Sequence, residues 1–409
     1  MGVVWLRCWY RRSMRGIDIP EPTEDFTADP VELFFDLAFV FAFSQLVVHL
    51  VHHPTWTGAA EAWLLFAMLW MAWSTFTWAA NAVSGNARPV RVIFLIATAA
   101  TLPAAGGVTT AYEGGGAVFA ISVSVILAMA LAIQLWATDA GTDVRTSVIR
   151  YARPNIVAMV LWIAGGFASD EVRVVLWLLG LGSILYGTIR ARRGTWIVRI
   201  GHFAERHGLI LIVALGEVVV AIGIGIIDSL AESGSLPTDV VLALVAAGLF
   251  AGLLWWAYFD RLQPALEWKG EQLDGQQRGW YAVDIYTYLH AVIVSGVIIS
   301  AAALEEIILH PGDPVPLAFR AMLAGGLLMF LLGTVACVAR AFRVVIPERI
   351  VASAVILIIV ALGGSWSGVF LLAIVDVVLF IVLVAEYQRV ERSRSPSASG
   401  DSEPAGETA

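Results

Sequence analysis

From residue 31 almost to its end, the chain alternates long apolar runs with short polar or Gly/Pro-containing breaks. A helix needs roughly 20 apolar residues, at about 1.5 Å of rise each, to cross the hydrocarbon core of a bilayer. Twelve runs meet or approach that length, at residues 31–50, 60–82, 90–110, 115–137, 154–169, 172–190, 207–227, 240–260, 281–304, 317–339, 348–364 and 367–387. The fifth and the eleventh are the shortest. Between the runs, basic residues fall on alternate sides. With the N-terminus inside, all but Arg173 and Arg320 of the 25 Lys and Arg residues lie in cytoplasmic segments. That asymmetry is the positive-inside pattern, and dropping one span scrambles it.

Composition agrees with the pattern. A chain of 409 residues with 59% hydrophobic and 14% charged positions has too much apolar surface for a soluble fold. The expected class is an all-α polytopic membrane protein of about twelve transmembrane helices in a bacterial cytoplasmic membrane, both termini cytoplasmic and the bilayer its first partner. The net charge of −8 comes from the tail and the outer loops and does not point to nucleic acid. Arg7, Arg11 and Arg12 break up the short apolar start, so no cleavable signal peptide is read there. Cys8 and Cys337 both map to the reducing side, and no disulfide is expected.

The runs divide into two sets of six. Ala42-Phe43-Ser44-Gln45-Leu46-Val47-Val48 aligns with Ala214-Leu215-Gly216-Glu217-Val218-Val219-Val220 on spans one and seven. Leu69-Trp70-Met71-Ala72-Trp73 aligns with Leu254-Trp255-Trp256-Ala257-Tyr258 on spans two and eight. Six spans per half leave the halves in the same orientation, a parallel 6+6 pseudo-repeat. The expected organisation is a cytoplasmic segment 1–30, halves at 31–200 and 201–390, and a Ser/Pro/Gly/Glu-rich disordered tail at 391–409.

The candidate chemistry lies in acids that apolar helices should not contain. A central Asp costs about 2.5–3.5 kcal/mol on the insertion scale, so such residues mark either a polar pathway or a structural ion pair. On span one, Glu32 and Asp36 share a face, with Gln45 on the opposite one. On span seven, Arg206 and Glu217 are three turns apart on one face, with Glu205 and His207 at the entry. Span nine places Asp284 with Tyr288, and Tyr286 with His290. Asp260, Glu305 and Asp376 are further acids; Asp260 is read as a capping or salt-bridge residue beside Arg261.

No catalytic or metal-binding pattern competes. His202 and His207 are five apart, about 140° around a helix, which suits one ion poorly. His49, His52 and His53 read as a solvated loop, and Gly364-Ser365-Trp366-Ser367-Gly368 has Trp where a nucleophile elbow needs its serine. No metal, cofactor or phosphate loop is predicted. The 16 tryptophans are assigned mostly to interfacial belts.

Glu32-Leu33-Phe34-Phe35-Asp36 followed by Phe39-Val40-Phe41-Ala42 resembles the signature of the bacterial low-temperature-requirement A family. Glu205-Arg206-His207-Gly208-Leu209, Gly216-Glu217, Trp255-Trp256-Ala257-Tyr258-Phe259-Asp260-Arg261, Tyr288-Leu289-His290 and Leu304-Glu305 agree with it in order. Val218 departs, standing where that pattern has a serine. The resemblance implies a multi-pass membrane protein and a growth phenotype in the cold, with no defined activity. Phe34-Phe35-Asp36 on the first span is also similar to a motif of the endolysosomal potassium channels, whose duplicated six-helix units line a pore with their first helices. Together these readings give a channel or transporter for a small ion or solute as the leading expectation. Asp36 and Glu217 would lie on the path, supported by Glu32, Arg206, Asp284 and His290. An intramembrane enzyme acting on a lipid or isoprenoid, and a non-catalytic scaffold, are the alternatives. A homodimer is left open.

Overall fold

The computed structural model describes residues 28–83 and 87–394. The expectations for the N-terminal segment before Ala28, for Cys8 and for the tail after Arg394 lie outside the described residues. The described chain is a bundle of α1 (Pro30–His52), α2 (Trp56–Ala80), α3 (Arg88–Gly106), α4 (Gly116–Trp136), α5 (Asp143–Gly166), α6 (Asp170–Ala191) and α7 (Ile200–Ser233). It continues with α8 (Thr238–Phe259), α9 (Leu262–Glu271), α10 (Gly275–Ala282), a π-helical stretch Val283–Leu289, α11 (His290–Leu309), α12 (Leu317–Phe342), α13 (Pro347–Leu362) and α14 (Gly368–Arg394). Helices α8 and α9 form one span, and α10, the π stretch and α11 another, so each of the twelve apolar runs has its helix.

Eleven of these are long and apolar enough to cross a membrane; α5 is long enough but polar at its start. Sequence placed the start of α5 at Pro154, whereas the helix begins at Asp143 and keeps Pro154 inside it. Thr142 caps it by accepting from Arg145 N at 3.2 Å. Arg145 then donates to carbonyls at and just past the end of α4, Leu135 O and Thr138 O, at 2.7 and 2.9 Å. α7 also begins earlier than predicted, because Asn81 at the end of α2 binds its approach. Asn81 donates to Ile197 O and accepts from Arg199 N, while the Arg199 side chain bonds Asn81 O. His202, Glu205 and Arg206 are therefore helical, and Arg206 is fully buried within the bundle rather than in a cytoplasmic segment.

Contacts along the helices fix their directions. Glu32 meets Arg206 near the starts of α1 and α7, and Ser44 meets Glu217 three turns further along both, so the two helices run parallel. His207 faces His290, and Gly225 lies against Ile308, so α11 is parallel to α7. α1 packs on α2, α3, α7 and α11, while α2 is the most buried of the spans. In the first half α1 neighbours α2 and α3, α3 neighbours α4, and the chain then pairs α4 with α5 and α5 with α6. In the second half α7 neighbours α8 and α11, α11 neighbours α12, and α12–α13 and α13–α14 follow.

Apolar packing holds these contacts. Phe35 stacks on Phe76 at 4.6 Å between ring centres, and Phe76 meets Phe94 edge-on at 4.9 Å. Trp162 and Trp177 each donate an indole N–H to the other's carbonyl, at 3.1 and 2.9 Å, locking α5 to α6. These two, Trp70 and Trp73 are buried, so the assignment of tryptophans to interfacial belts fails for them. Among the described residues, Trp56, Trp63, Trp255, Trp256 and Trp268 are exposed. His49 is likewise buried, 3.3 Å from Glu61, which corrects its reading as part of a solvated loop.

α11 and α12 approach through small residues, as membrane helices do. A Cβ on Gly296 would lie 2.6 Å from Gly326 O and 2.8 Å from Phe330 N, both backbone atoms that cannot swing away. Gly296→Ala is expected to destabilise the protein by about 1–3 kcal/mol, the usual cost of overpacking. Thermal unfolding in detergent measures it. An unchanged midpoint would mean the two helices do not pack this closely.

Candidate functional site

The site begins where α1 does. Asp29 caps the helix by accepting from Val31 N at 3.1 Å, and Glu32 Oε1 returns to accept from Asp29 N at 3.3 Å. Pro30 fills the first turn, where its missing N–H costs nothing. This box fixes Glu32 at the helix start and leaves Oε2 free to face α7. There His202 Nε2 lies at 3.0 Å and Arg206 Nη1 makes an ion pair with it. Arg206 Nη2 donates to Asp36 Oδ1 at 2.7 Å, one turn further along α1. From α2, Trp73 Nε1 donates to the same oxygen at 2.7 Å. The guanidinium lies 6.0 Å from the Trp73 ring centre.

Glu32, Asp36, His202 and Arg206 are all at most 2% exposed. The carboxylates that sequence placed on one face of α1 are thus both ligands of one arginine on α7. Asp36 Oδ2 and Arg206 Nε make no hydrogen bond among the described residues. Beside this cluster Glu205 Oε2 accepts from Ala28 N at 2.7 Å, which ties α7 to the approach to α1.

One residue beyond Arg206, His207 sits in an aromatic box. Its ring centre is 5.0 Å from Trp73, 5.0 Å from Tyr286 and 5.2 Å from His290. His207 Nδ1 bonds Phe203 O at 2.8 Å, and its Nε2 is buried with no hydrogen-bond partner among the described residues. His290 Nδ1 bonds Ile285 O at 2.8 Å, and its Nε2 meets Tyr258 OH at 2.7 Å. A carbonyl can only accept, so the hydrogen sits on Nδ1 of both rings. The five-residue step from His290 back to Ile285 follows from the π stretch. Three α2 groups hold that stretch through Thr287: Trp70 Nε1 donates to its carbonyl at 2.7 Å, and Trp78 and Ser74 donate to its hydroxyl. Single π turns of this kind occur often at functional sites.

Further along the same three helices, Ser44 Oγ donates to Glu217 Oε1 at 3.0 Å, and Glu217 is 2% exposed. Glu305 on α11 is near enough to act electrostatically on Glu217. Glu32, Asp36, Arg206, His207, Glu217 and His290, from spans one, seven and nine, therefore lie along one interface.

Others stand apart. Asp284 is held by Arg192 at 2.6 Å and Arg340 at 2.7 Å at the polar end of the bundle, binding α6 and α12 to the π stretch. Asp260 pairs with Arg261 at 3.3 Å. Gln45 is half-buried on α1. Asp376 on α14 is buried, with neither carboxylate oxygen hydrogen-bonded among the described residues. Among the described residues no group of three or more His, Cys, Asp or Glu is arranged to hold a metal ion. Cys337 is a buried free thiol.

Sequence reading missed three members of this framework. Trp73 was hidden among the Trp-rich residues of α2, and Tyr258 carried no polar periodicity of its own. Arg349 was counted with the cytoplasmic arginines but is 4% exposed, bound to Glu386 on α14, Thr334 on α12 and Ala257 O on α8. Its signal was the position two residues after Pro347, within the first turn of α13.

No solved structure matches the chain. It is 29% identical over 392 residues to the uncharacterized protein RA0937 of Rhizobium meliloti (strain 1021), an alignment covering 92% of this chain and 93% of the relative. The family described as bacterial low temperature requirement A protein (LtrA) matches residues 27–384, which include every group of the α1–α7–α11 interface. The chain belongs to the bacterial low temperature requirement A family.

Proposed function

We propose that this protein moves a proton or small ion across a bacterial cytoplasmic membrane along the α1–α7–α11 interface. One observation carries the reading. Titratable groups follow one another along three parallel helices, from Glu32, His202, Arg206 and Asp36, through His207 and His290, to Glu217 and Glu305. Glu32 to Ser44 alone covers about 18 Å of helix, more than half of a hydrocarbon core of about 30 Å. Buried ionisable residues facing a bundle interior are the usual mark of ion and proton pathways. Asp36 and Glu217 are the proposed carriers, and the imidazoles of His207 and His290 bridge between them.

A second reading has its own support. Arg206 is already closed by two carboxylates, which is what a structural lock between the halves needs. A lipid-modifying enzyme has less, because it requires lateral access to His290, and His290 is fully buried.

Flux into proteoliposomes separates the readings. Wild type is expected to move protons or a monovalent ion, and Glu217→Gln to reduce that flux to the level of empty liposomes while retaining the wild-type unfolding midpoint. Absence of flux in wild type for protons, common monovalent cations and anions would reject transport and leave the lock.

A further inference from the structure

Between α8 and α14, away from the titratable interface, lies a groove of about 340 Å³. That is within the range of about 300–1,000 Å³ typical of ligand pockets. Its walls are apolar, formed by Leu253 and Trp256 on α8 and by Phe380, Leu383 and Val384 on α14. Trp256 and Phe380 are 57% and 58% exposed, so the trough opens outward to the surface that lipid covers. Its far end is polar, and both signs of charge are present there.

The charged groups decide what fits. Arg349 is fully engaged by Glu386, Thr334 and Ala257 O. Arg261 is not. Its guanidinium lies 4.9 Å over the Tyr387 ring, with Asp260 at 3.3 Å and Glu391 at 3.9 Å. Its Nη1 is buried and makes no hydrogen bond among the described residues. A buried guanidinium donor asks for an oxyanion, and phosphate is the oxyanion found at this depth. Asp260 and Glu391 beside it disfavour a ligand of net negative charge and favour an ammonium next to the phosphate. Arg261 already covers the Tyr387 face, which leaves no aromatic cage for a quaternary amine.

We infer that the α8–α14 groove binds one zwitterionic phospholipid with a primary-amine headgroup, its acyl chain along Trp256 and Phe380, its phosphate on Arg261 and its ammonium on Asp260 and Glu391. This goes beyond the transport reading and does not depend on it.

The test uses the full-length protein in nanodiscs containing equal parts of phosphatidylethanolamine, phosphatidylcholine and phosphatidylglycerol, followed by native mass spectrometry. One phosphatidylethanolamine per chain is expected to survive activation. Arg261→Ala is expected to lower its retention about tenfold, in line with loss of a hydrogen bond to a charged group. Val245→Ala, exposed elsewhere on α8, should retain it. Asp260→Asn moves the preference toward phosphatidylglycerol, a readout of headgroup choice that general destabilisation does not produce. Equal retention of all three lipids, preference for phosphatidylglycerol in wild type, retention unchanged in Arg261→Ala, or a second copy of the chain in place of lipid would each overturn the assignment.

Discussion

Replacing Arg206 with leucine is expected to destabilise the protein by about 3–5 kcal/mol, the cost of removing one partner from a buried ion pair. The magnitude comes from what remains. Glu32 and Asp36 lie a turn apart on α1, both essentially without solvent, and Arg206 is the guanidinium that bonds each of them. Without it, two carboxylates repel each other in a medium where charge is weakly screened, and one of the contacts joining α1 to α7 is lost. His202 meets the same Glu32 oxygen at 3.0 Å. Denaturation of detergent-solubilised protein, followed by the loss of helical circular dichroism, measures the effect. A drop below about 1 kcal/mol, the scale of an exposed ion pair, would place the cluster in water rather than inside the bundle.

The same cluster offers the sharpest separation of lock from pathway. Glu32→Gln and Asp36→Asn introduced into Arg206→Leu remove the uncompensated charge. Replacing a whole buried ion network by well-packed apolar groups is often nearly neutral in stability, and the two amide oxygens can still accept from Asp29 N and Trp73 Nε1. The triple variant is therefore expected to recover most of what Arg206→Leu loses. If the cluster is only a lock, its flux matches wild type; if Asp36 carries the transported species, flux stays absent in a folded protein.

Much of this arrangement was legible from the chain, for a physical reason. Apolar runs of bilayer length have one stable form, a helix, because no water is present to satisfy a free backbone. Carboxylates within them stand out because they are costly there. That is why Glu32, Asp36 and Glu217 were found before any contact was known. Their partners were not legible in the same way. Whether Glu32 meets Arg206 depends on how helices far apart in sequence rotate against each other, and small residues permit many such rotations. Arginines near span ends were the least readable. Arg206 and Arg349 both fit the inside-positive count, yet both are buried. A loop arginine and the arginine of a first or second helical turn occupy the same sequence position relative to an apolar run, and only the side chain's direction distinguishes them. The π stretch was hidden for a different reason: Val283–Leu289 has ordinary helical composition, and anchoring of Thr287 from α2 stabilises the wider turn.

Arg349 gives the second large effect and tests that distinction. Arg349→Met is expected to cost about 3–5 kcal/mol, because Glu386 would be left without its paired guanidinium at 16% exposure. The loss is more than one ion pair. Arg349 donates to both Glu386 oxygens at 2.7 and 3.0 Å, to Thr334 Oγ1 at 2.6 Å and to Ala257 O at 2.9 Å. A single side chain on α13 thus clamps α14, α12 and α8. Lysine does not replace it, since one ammonium cannot reproduce the two-pronged bond to Glu386 while also reaching the other two helices. Arg343, exposed at the C-cap of α12, provides the comparison. Arg343→Met should change stability by no more than about 0.5 kcal/mol, because the side chain is exposed and both residues carry the same Cβ into the left-handed cap. Equal midpoints for the two methionine variants would return Arg349 to the cytoplasmic surface where the sequence alone had placed it.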